Sequence, residues 1–214
     1  MQVFLPNSFV RMTVIILACL LLILSFFGGP FNSNLVNAAE DCEQVAEAEF
    51  VCGPEHAEDL VKIPQSNWVI ASSYDPSAVP NGTIYLVNGK TQEWEEVYPD
   101  AIEFKPNTEA YPSCPAPPDR AVFESHGLDI EAGIGNLHTL YVVNHGREAI
   151  EVFKVDANGK EPKFTWTGCV FPPEQTHLND IAALPDGDGI LATNTHNPED
   201  TEFIDKLVDG QDTG

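Results

Sequence analysis

Positive charge is the scarcest property of this chain. Its 214 residues include 10 Lys and Arg against 33 Asp and Glu, which gives a formal net charge of −23 at pH 7. A surface with this excess of negative charge repels nucleic acid phosphates and anionic lipid headgroups, so we expect no nucleic acid partner. The acidic residues are spread along the sequence rather than gathered in a block. The composition therefore fits a solvated acidic surface, a saline habitat or calcium binding, and it does not predict a disordered acidic tail.

Long apolar runs are also scarce, and the longest, Val14–Phe27, has 14 residues. A membrane-spanning helix needs about 20. The run follows Arg11 and precedes the small residues Val36-Asn37-Ala38, which is the pattern of a secretory signal. We therefore predict that residues 1–38 are a signal peptide and that residues 39–214 form a domain exported to the periplasm or beyond. No stable membrane span is expected after cleavage. An uncleaved N-terminal anchor is the alternative.

Cysteine is limited to five residues, of which signal cleavage would remove one. The remaining four are Cys42, Cys52, Cys114 and Cys169. An even number in an exported protein predicts two disulfides, with three possible pairings. Their spacing does not match a zinc finger. The alternative is that one or more of these thiols stays free and buried.

Helical periodicity is nearly absent from residues 39–214, whereas short apolar runs rich in β-branched and aromatic residues are frequent. These runs are bounded by Gly, Pro, Asn and Asp, and they comprise Leu60–Ile63, Trp68–Ser72, Thr83–Val87, Leu140–Val143, Ile150–Val155, Phe164–Thr167, Ile181–Leu184 and Ile190–Ala192. Such a pattern is typical of β-strands separated by turns. The sequence therefore predicts an all-β domain.

Two connections between these runs have clear signals. Asp156-Ala157-Asn158-Gly159 separates two strand-like runs and predicts a hairpin turn. The stretch Lys105–Arg120 contains five prolines, which exclude a central strand. It therefore predicts a long loop, with Cys114 available to tie it down. Long loops in compact β proteins often border a functional site.

Three segments of the chain repeat one design. Each has polar residues at the start of an apolar strand and further polar residues where a second strand ends. The pairs are Glu58-Asp59 with Ser72-Ser73, Ser125-His126-Gly127 with Asn144-His145, and Asn179-Asp180 with Asn194-Thr195-His196. Repeats of this kind bring their polar residues together if the units pack around an axis. Oxygen ligands beside imidazoles suggest a calcium site with a proton-transfer pair.

The order of strands within one repeat favours a propeller over a sandwich or a barrel. Residues 126–167 predict four consecutive antiparallel strands, which is the composition of a propeller blade. The innermost strands of a propeller run in the same direction along a central channel, so their starting residues surround one mouth of it. We therefore expect the polar strand starts Glu58, Asp59, His126, Asn179 and Asp180 to lie close together.

Five motifs occur in a fixed order over about residues 55 to 200. They are Ala57-Glu58-Asp59-Leu60 with Val69-Ile70-Ala71-Ser72-Ser73, His126-Gly127-Leu128, Leu140-Tyr141-Val142-Val143-Asn144-His145 with Ile150-Glu151-Val152-Phe153-Lys154, Leu178-Asn179-Asp180-Ile181, and Thr193-Asn194-Thr195-His196. In these motifs the chain resembles the paraoxonase/arylesterase family, within the gluconolactonase and strictosidine synthase-like six-bladed propellers. One departure is Thr195, where the family often has an acidic residue.

The resemblance implies an all-β, six-bladed β-propeller with two calcium ions in its channel. By the same resemblance, this chain is expected to be an N-terminal fragment that covers roughly the first three to four blades. The remaining calcium ligands of the family would then lie beyond Gly214.

The resemblance also implies roles for individual residues. Glu58 and Asn179 would be ligands of a catalytic calcium, while Asp59, Asp180 and the backbone carbonyl of Leu128 would be ligands of a structural calcium. Carboxylates, amides and carbonyls are the ligands that Ca²⁺ prefers. The alternative for the Asp and Asn residues is that they cap turns at strand starts, where such side chains bond nearby amides.

His126 and His145 would form a histidine dyad over the catalytic ion, in which an imidazole takes a proton from the attacking water. Their alternative is a structural role. His196 is expected near the site. Two other histidines, His138 and His177, are expected in exposed loops, as is His56.

Two functions follow as hypotheses. The first is a calcium-dependent hydrolase of lactones or aryl esters, a paraoxonase-like arylesterase/lactonase, in which calcium polarises the carbonyl and the His dyad activates water. Its partner would be a small-molecule ester or lactone substrate. The second is a non-catalytic, calcium-stabilised propeller that binds a ligand or a protein partner.

Overall fold

The structure is a computed structural model that describes residues 50–78 and 82–211. The predicted signal peptide, residues 1–38, lies outside the described residues, and so does Cys42. Within the described ranges, no helix is long and apolar enough to cross a membrane.

Strands dominate the described residues, which confirms the prediction of an all-β protein. In chain order they are β1 (Ala57–Lys62), β2 (Trp68–Tyr74), β3 (Gly82–Asn88), β4 (Trp94–Glu96), β5 (Ile102–Phe104), β6 (Ser125–Glu131), β7 (Leu137–Asn144), β8 (Ala149–Asp156), β9 (Lys163–Val170), β10 (Leu178–Ala183) and β11 (Ile190–Asn194). One short α-helix, α1 (Phe203–Val208), follows the last described strand. Each of the apolar runs singled out in the sequence overlaps one of these strands.

The first sheet is an antiparallel meander with the order β1-β2-β3-β4. Its middle strands, β2 and β3, are each an apolar run. Five consecutive residues of β3 are buried, as expected for a strand that is covered on both faces. The outer strand β4 is exposed along its whole length. Burial therefore decreases from the middle of the sheet to its outer edge.

The second sheet has the order β5-β9-β8-β7-β6. Strands β6 to β9 form another antiparallel meander, while β5 pairs with β9 in parallel. The connection from β8 to β9 runs through Asp156–Gly159, which confirms the predicted hairpin. Strands β10 and β11 form a separate antiparallel pair. Within residues 50–78 and 82–211, none of the three sheets closes on itself.

A continuous apolar core lies between the first two sheets. Its largest fully buried side chains include Trp166, Tyr98, Phe123, Phe153 and Phe164. A smaller buried cluster consists of Val143, Ile150, Leu178 and Ile181, and it joins the second sheet to the β10-β11 pair. Strand β6 packs against β1, β2 and β10. It is therefore the strand that brings the three sheets together at one place.

The proline-rich stretch is a long loop without strands, as predicted, and a disulfide fixes it. Cys114 in this loop is bonded to Cys169 in β9, across a sequence separation of 55. The pairing was one of the possibilities that the sequence left open. Cys52 is also disulfide-bonded.

Candidate functional site

The starts of β1, β6 and β10 share one irregularity. In each strand, two consecutive residues lie opposite a single residue of the neighbouring strand, which is a β-bulge. The shift lies between Ala57 and Leu60, between Ser125 and Leu128, and between Leu178 and Ile181. The residues inside the bulges are therefore equivalent, and they are Glu58-Asp59, His126-Gly127 and Asn179-Asp180. Bulges redirect side chains and are frequent beside functional sites.

Hydroxyl groups on the neighbouring strands stabilise two of these bulges. The N–H of Asp59 donates to Ser72 Oγ at 3.1 Å, and the N–H of Asp180 donates to Thr193 Oγ1 at 2.9 Å. The equivalent position beside the bulge in β6 is Val143, which offers no hydroxyl. Ser72 and Thr193 thus hold the bulged backbone at the starts of β1 and β10.

Two aspartates connect the sheets to each other. Asp59 accepts hydrogen bonds from the N–H of Leu60 at 2.7 Å and from the N–H of Leu128, in β6, at 2.8 Å. Asp129 Oδ2 accepts from the N–H of Ala183, in β10, at 2.7 Å. Carboxylates that accept backbone N–H bonds are held in fixed orientations. Strands β1, β6 and β10 are therefore linked by side chains, without being paired as one sheet.

A cleft of about 150 Å³ opens where the three bulges meet. Its lining residues are Glu58, Asp59, His126, Gly127, Asn179 and Asp180. All five side chains predicted to converge at strand starts are therefore together. Leu128 contacts this cluster through its backbone N–H, which donates to Asp59 Oδ2. The role of its carbonyl oxygen as a calcium ligand remains a prediction.

Close approach of β10 to β6 depends on Gly127. A Cβ atom at this position would lie 2.4 Å from the backbone oxygen of Asn179 and 2.5 Å from Cα of Asp180. Real Cβ atoms do not come so close to backbone atoms. Any side chain here would push Asn179 and Asp180 away from the cleft, so the glycine is a requirement of the site's geometry.

His126 has a defined tautomer in this arrangement. Its Nδ1 lies 3.0 Å from the backbone oxygen of Asn179, and a carbonyl oxygen can only accept, so Nδ1 carries a hydrogen. In the neutral ring Nε2 then has a free lone pair, and it lies 3.5 Å from Glu58 Oε1. His126 thus offers a basic nitrogen on the cleft side and a fixed donor on the other.

His145 lies behind His126 and does not line the cleft. The two ring centroids are 4.9 Å apart in an edge-to-face contact, and Tyr74 packs against both rings. The side chain of His145 is only 7% exposed, and its Nδ1 lies 2.7 Å from Glu148 Oε1. Burial lowers the pKa of His145 below its ordinary value, while the hydrogen bond and the charge of Glu148 oppose that shift. The ring is therefore kept neutral at neutral pH.

The contact between His126 and His145 continues into a row of imidazoles that the sequence did not predict. His145 stacks on His177 at 4.4 Å, His177 contacts His196 at 4.8 Å, and His196 stacks on Phe203 at 4.1 Å. His177 lies in the segment before β10, outside any strand, and is partly exposed, as expected, but its ring also lies between two other imidazoles. No local signal marks it, since its neighbours in space, His145 and His196, are distant from it in sequence.

Two further histidine positions differ from expectation. His138 is 2% exposed within β7, not in a loop; it pairs with Val155 of β8, and its Nδ1 accepts from the N–H of Gly133 at 3.2 Å. His196 is one residue beyond the position that matches His145. The N–H of His145 bonds to the residue before β6, and the N–H of Thr195 makes the equivalent bond before β10. Thr195 is thus the structural counterpart of His145.

A buried ion pair supports the turn that carries His145. Glu151 is fully buried and accepts from Arg147 Nε at 2.7 Å and Nη2 at 2.6 Å. It also accepts from Asn144 Nδ2 at 2.9 Å and Trp166 Nε1 at 2.9 Å. Four donors satisfy both carboxylate oxygens, which is what a buried carboxylate needs. The end of β7 is therefore rigidly anchored in the core.

Comparisons with family models and with curated proteins found no match. The resemblance to the paraoxonase/arylesterase family therefore stays a prediction that depends on the motifs quoted above.

Proposed function

We propose that this protein is a calcium-dependent hydrolase of lactones or aryl esters. The observation that carries the proposal is the cleft at the three bulges, which combines three carboxylates, an amide and an imidazole. We further propose that the sheets are blades of a six-bladed propeller, with β1-β4 and β6-β9 as two of them. The equivalent bulges at the inner strands support this architecture.

The donor chemistry of the cleft fits calcium. Glu58, Asp59 and Asp180 carry negative charge in a small volume, and without a cation they repel one another. Calcium takes 6–8 oxygen ligands, including carboxylates and amides. We propose that Glu58 and Asn179 hold a catalytic ion and that Asp59 and Asp180 hold a structural one. Bound there, calcium would supply a Lewis acid that polarises an ester carbonyl.

The chain's own residues would supply the proton chemistry. Nε2 of His126 has its lone pair available on the cleft side, because Nδ1 donates to the backbone at 3.0 Å. It is therefore suited to accept a proton from a water molecule in the cleft. His145 packs against this ring and is kept neutral by burial. We propose that it positions His126 and takes part in the dyad.

The substrate and compartment belong to the same proposal. A small ester or lactone suits a cleft of about 150 Å³ that opens to solvent. The Cys114–Cys169 disulfide is compatible with export to the periplasm or beyond, where disulfides persist.

The test is hydrolysis of an aryl ester and a medium-chain lactone by the full-length protein, with calcium and with a calcium chelator. We expect activity that chelation removes and calcium restores. His126→Gln should reduce it by about 100-fold or more, in line with the contribution of general base catalysis. His56→Gln is the matched control, since His56 pairs with Asp75 away from this cleft. A folded, calcium-bound protein that is inactive on both substrates would contradict the hydrolase proposal.

A second candidate is a non-catalytic propeller in which calcium and aspartates serve structure. One observation favours it. Both oxygens of Asp59 already accept backbone N–H groups, one of them across to β6. If that candidate is correct, Asp59→Asn should lower the free energy of unfolding, and no ester substrate should be hydrolysed at any calcium concentration.

A further inference from the structure

We propose that His145, Glu148 and His177 form a binding site for a transition metal ion of the zinc type. This site is distinct from the acidic cleft and does not depend on the hydrolase proposal. The three side chains each offer one ligand atom, and these atoms lie within 4.8 Å of one another. In residues 50–78 and 82–211 no other group of three His, Cys, Asp or Glu side chains meets that condition.

Two of the three separations between ligand atoms are close to those that a bound ion requires. Glu148 Oε1 lies 2.7 Å from His145 Nδ1 and 3.1 Å from His177 Nδ1. Around a tetrahedral Zn²⁺ with bonds of about 2.0–2.2 Å, ligand atoms are separated by about 3.3 Å. Small side-chain rotations would therefore admit an ion between atoms that already converge.

The ligand types select the class of metal. Two imidazoles and one carboxylate suit Zn²⁺ and related divalent ions, whereas Ca²⁺ takes oxygen ligands. The same set, with an open fourth position, is found in catalytic zinc sites. The acidic cleft and this site therefore differ in chemistry even though His126 and His145 are in contact.

Neighbouring groups hold two of the ligands in place. The other oxygen of Glu148, Oε2, accepts from the N–H of Leu178 at 3.1 Å. The N–H of His177 donates to Asn194 Oδ1 at 2.9 Å, and its carbonyl oxygen accepts from the N–H of Thr195 at 2.9 Å. The contact to Oε2 orients the Glu148 carboxylate, as outer contacts to metal ligands do, while the two contacts of His177 fix its backbone. Glu148 also has a φ of 43°, an unusual backbone conformation for this residue type.

Solvent access allows an ion to enter. The side chains of Glu148 and His177 are 32% and 36% exposed, while that of His145 is 7% exposed. One buried ligand and two partly exposed ones provide an anchored site with an entry path. A bound ion would fix the His145 ring, and through it the contact with His126.

The competing explanation is that Glu148 simply bridges two imidazoles by hydrogen bonds. Such a bridge would bind no metal with defined stoichiometry. A metal titration of the full-length, metal-stripped protein therefore separates the two. Zn²⁺ would be titrated against a chromophoric chelator, and Co²⁺ would report coordination geometry by its visible absorption.

We expect one equivalent of Zn²⁺ and a tetrahedral Co²⁺ spectrum. Glu148→Gln and His177→Asn should each weaken Zn²⁺ binding by about 100-fold or more, which exceeds the usual effect of outer-shell changes. His56→Asn is the control for removing a surface histidine, and Asn179→Ala is the control for the acidic cleft. Both should bind Zn²⁺ as the unmodified protein does. Circular dichroism checks that every variant is folded.

Three results would overturn the proposal. They are the absence of stoichiometric Zn²⁺ binding, binding that both triad variants retain, and binding that Asn179→Ala abolishes. Because the readout is metal affinity, the outcome does not depend on ester hydrolysis. Inactivity on esters with intact Zn²⁺ binding would count against the hydrolase proposal alone.

Discussion

The acidic cleft and the His145–Glu148–His177 triad lie side by side but are built in opposite ways. The cleft residues come in pairs from the equivalent bulges of three strands. Their polar atoms surround a cleft of about 150 Å³. The triad comes from the β7–β8 turn and the segment before β10, and its donors already converge within 4.8 Å. The cleft therefore fits the large, many-liganded ion that we propose for it, while the triad fits the small ion with few ligands that we propose there.

This difference explains why sequence reasoning found one region and missed the other. A repeated bulge leaves a repeated pattern in the sequence, whereas a contact between unlike positions leaves none. The variants that follow are given in order of decreasing expected effect.

The largest effect is expected from Arg147→Met, which leaves the fully buried Glu151 without its cationic partner. Removing one member of a buried ion pair costs about 3–5 kcal/mol, and the change should also loosen the turn that carries Glu148. Chemical denaturation would measure it. Arg120→Met is the control, because Arg120 pairs with Glu96 and Asp100 at the surface and should cost less than about 1 kcal/mol. Equal losses in both variants would contradict the role given to Glu151.

Gly127→Ala should separate the two regions most clearly. The added Cβ would collide with the backbone of Asn179 and Asp180, so we expect a loss of about 1–3 kcal/mol and weaker calcium binding. Zn²⁺ affinity should change much less. Calorimetric titrations with both ions would measure this, with Gly89→Ala as the control, whose nearest atom would be 3.3 Å away. Unchanged calcium affinity would show that the approach of β10 to β6 is not needed.

Acid should destabilise the protein partly through His138. Burial lowers the pKa of His138 below 6.5, so between the two pKa values the unfolded state binds more protons than the folded state. Its contribution is fully present above pH 6.5 and is lost as pH falls through the folded-state pKa, with a slope of up to about 1.4 kcal/mol per pH unit. Denaturation of His138→Leu at several pH values should show a shallower dependence than the unmodified protein. An identical slope would mean that other groups cause the acid sensitivity.

The smallest effect is expected from Thr193→Val, which keeps the shape of the side chain but removes the hydroxyl that accepts from Asp180 N–H at 2.9 Å. Losing one such hydrogen bond should cost about 1 kcal/mol. Val143 occupies the equivalent position beside β6, so a bulge without a hydroxyl is tolerated there. Thermal denaturation would measure the loss. A gain in stability would show that the hydroxyl does not support the bulge.

Much of the fold could be predicted because its signals are local. Apolar runs predicted most of the strands, though not the short β4 and β5, and Asp156–Gly159 predicted the β8–β9 hairpin. The parallel pairing of β5 with β9 could not be predicted, since Ile102 and Phe164 meet only across a long chain excursion. The pairing of Cys114 with Cys169 also remained one of several possibilities.

The residues of the site also divide into those with a local sequence signal and those without one. Glu58, Asp59, His126, Asn179 and Asp180 were predicted together because they occupy equivalent positions. Glu148 and His177 were not, because they are adjacent only after the β10-β11 pair packs on the second sheet. Asn144 and Glu151 had been part of a quoted motif, but their buried network with Arg147 and Trp166 depends on packing that no local pattern reveals.

The most direct test of the proposed function is a calorimetric titration of Ca²⁺ into the full-length protein beside Asp180→Asn and Glu148→Gln. The cleft account predicts saturable calcium binding that Asp180→Asn weakens strongly, since it removes a carboxylate from the cleft. Glu148→Gln should leave calcium binding unchanged. Calcium binding that is absent, or that Glu148→Gln abolishes while Asp180→Asn retains it, would contradict the assignment of the acidic cleft as the calcium site.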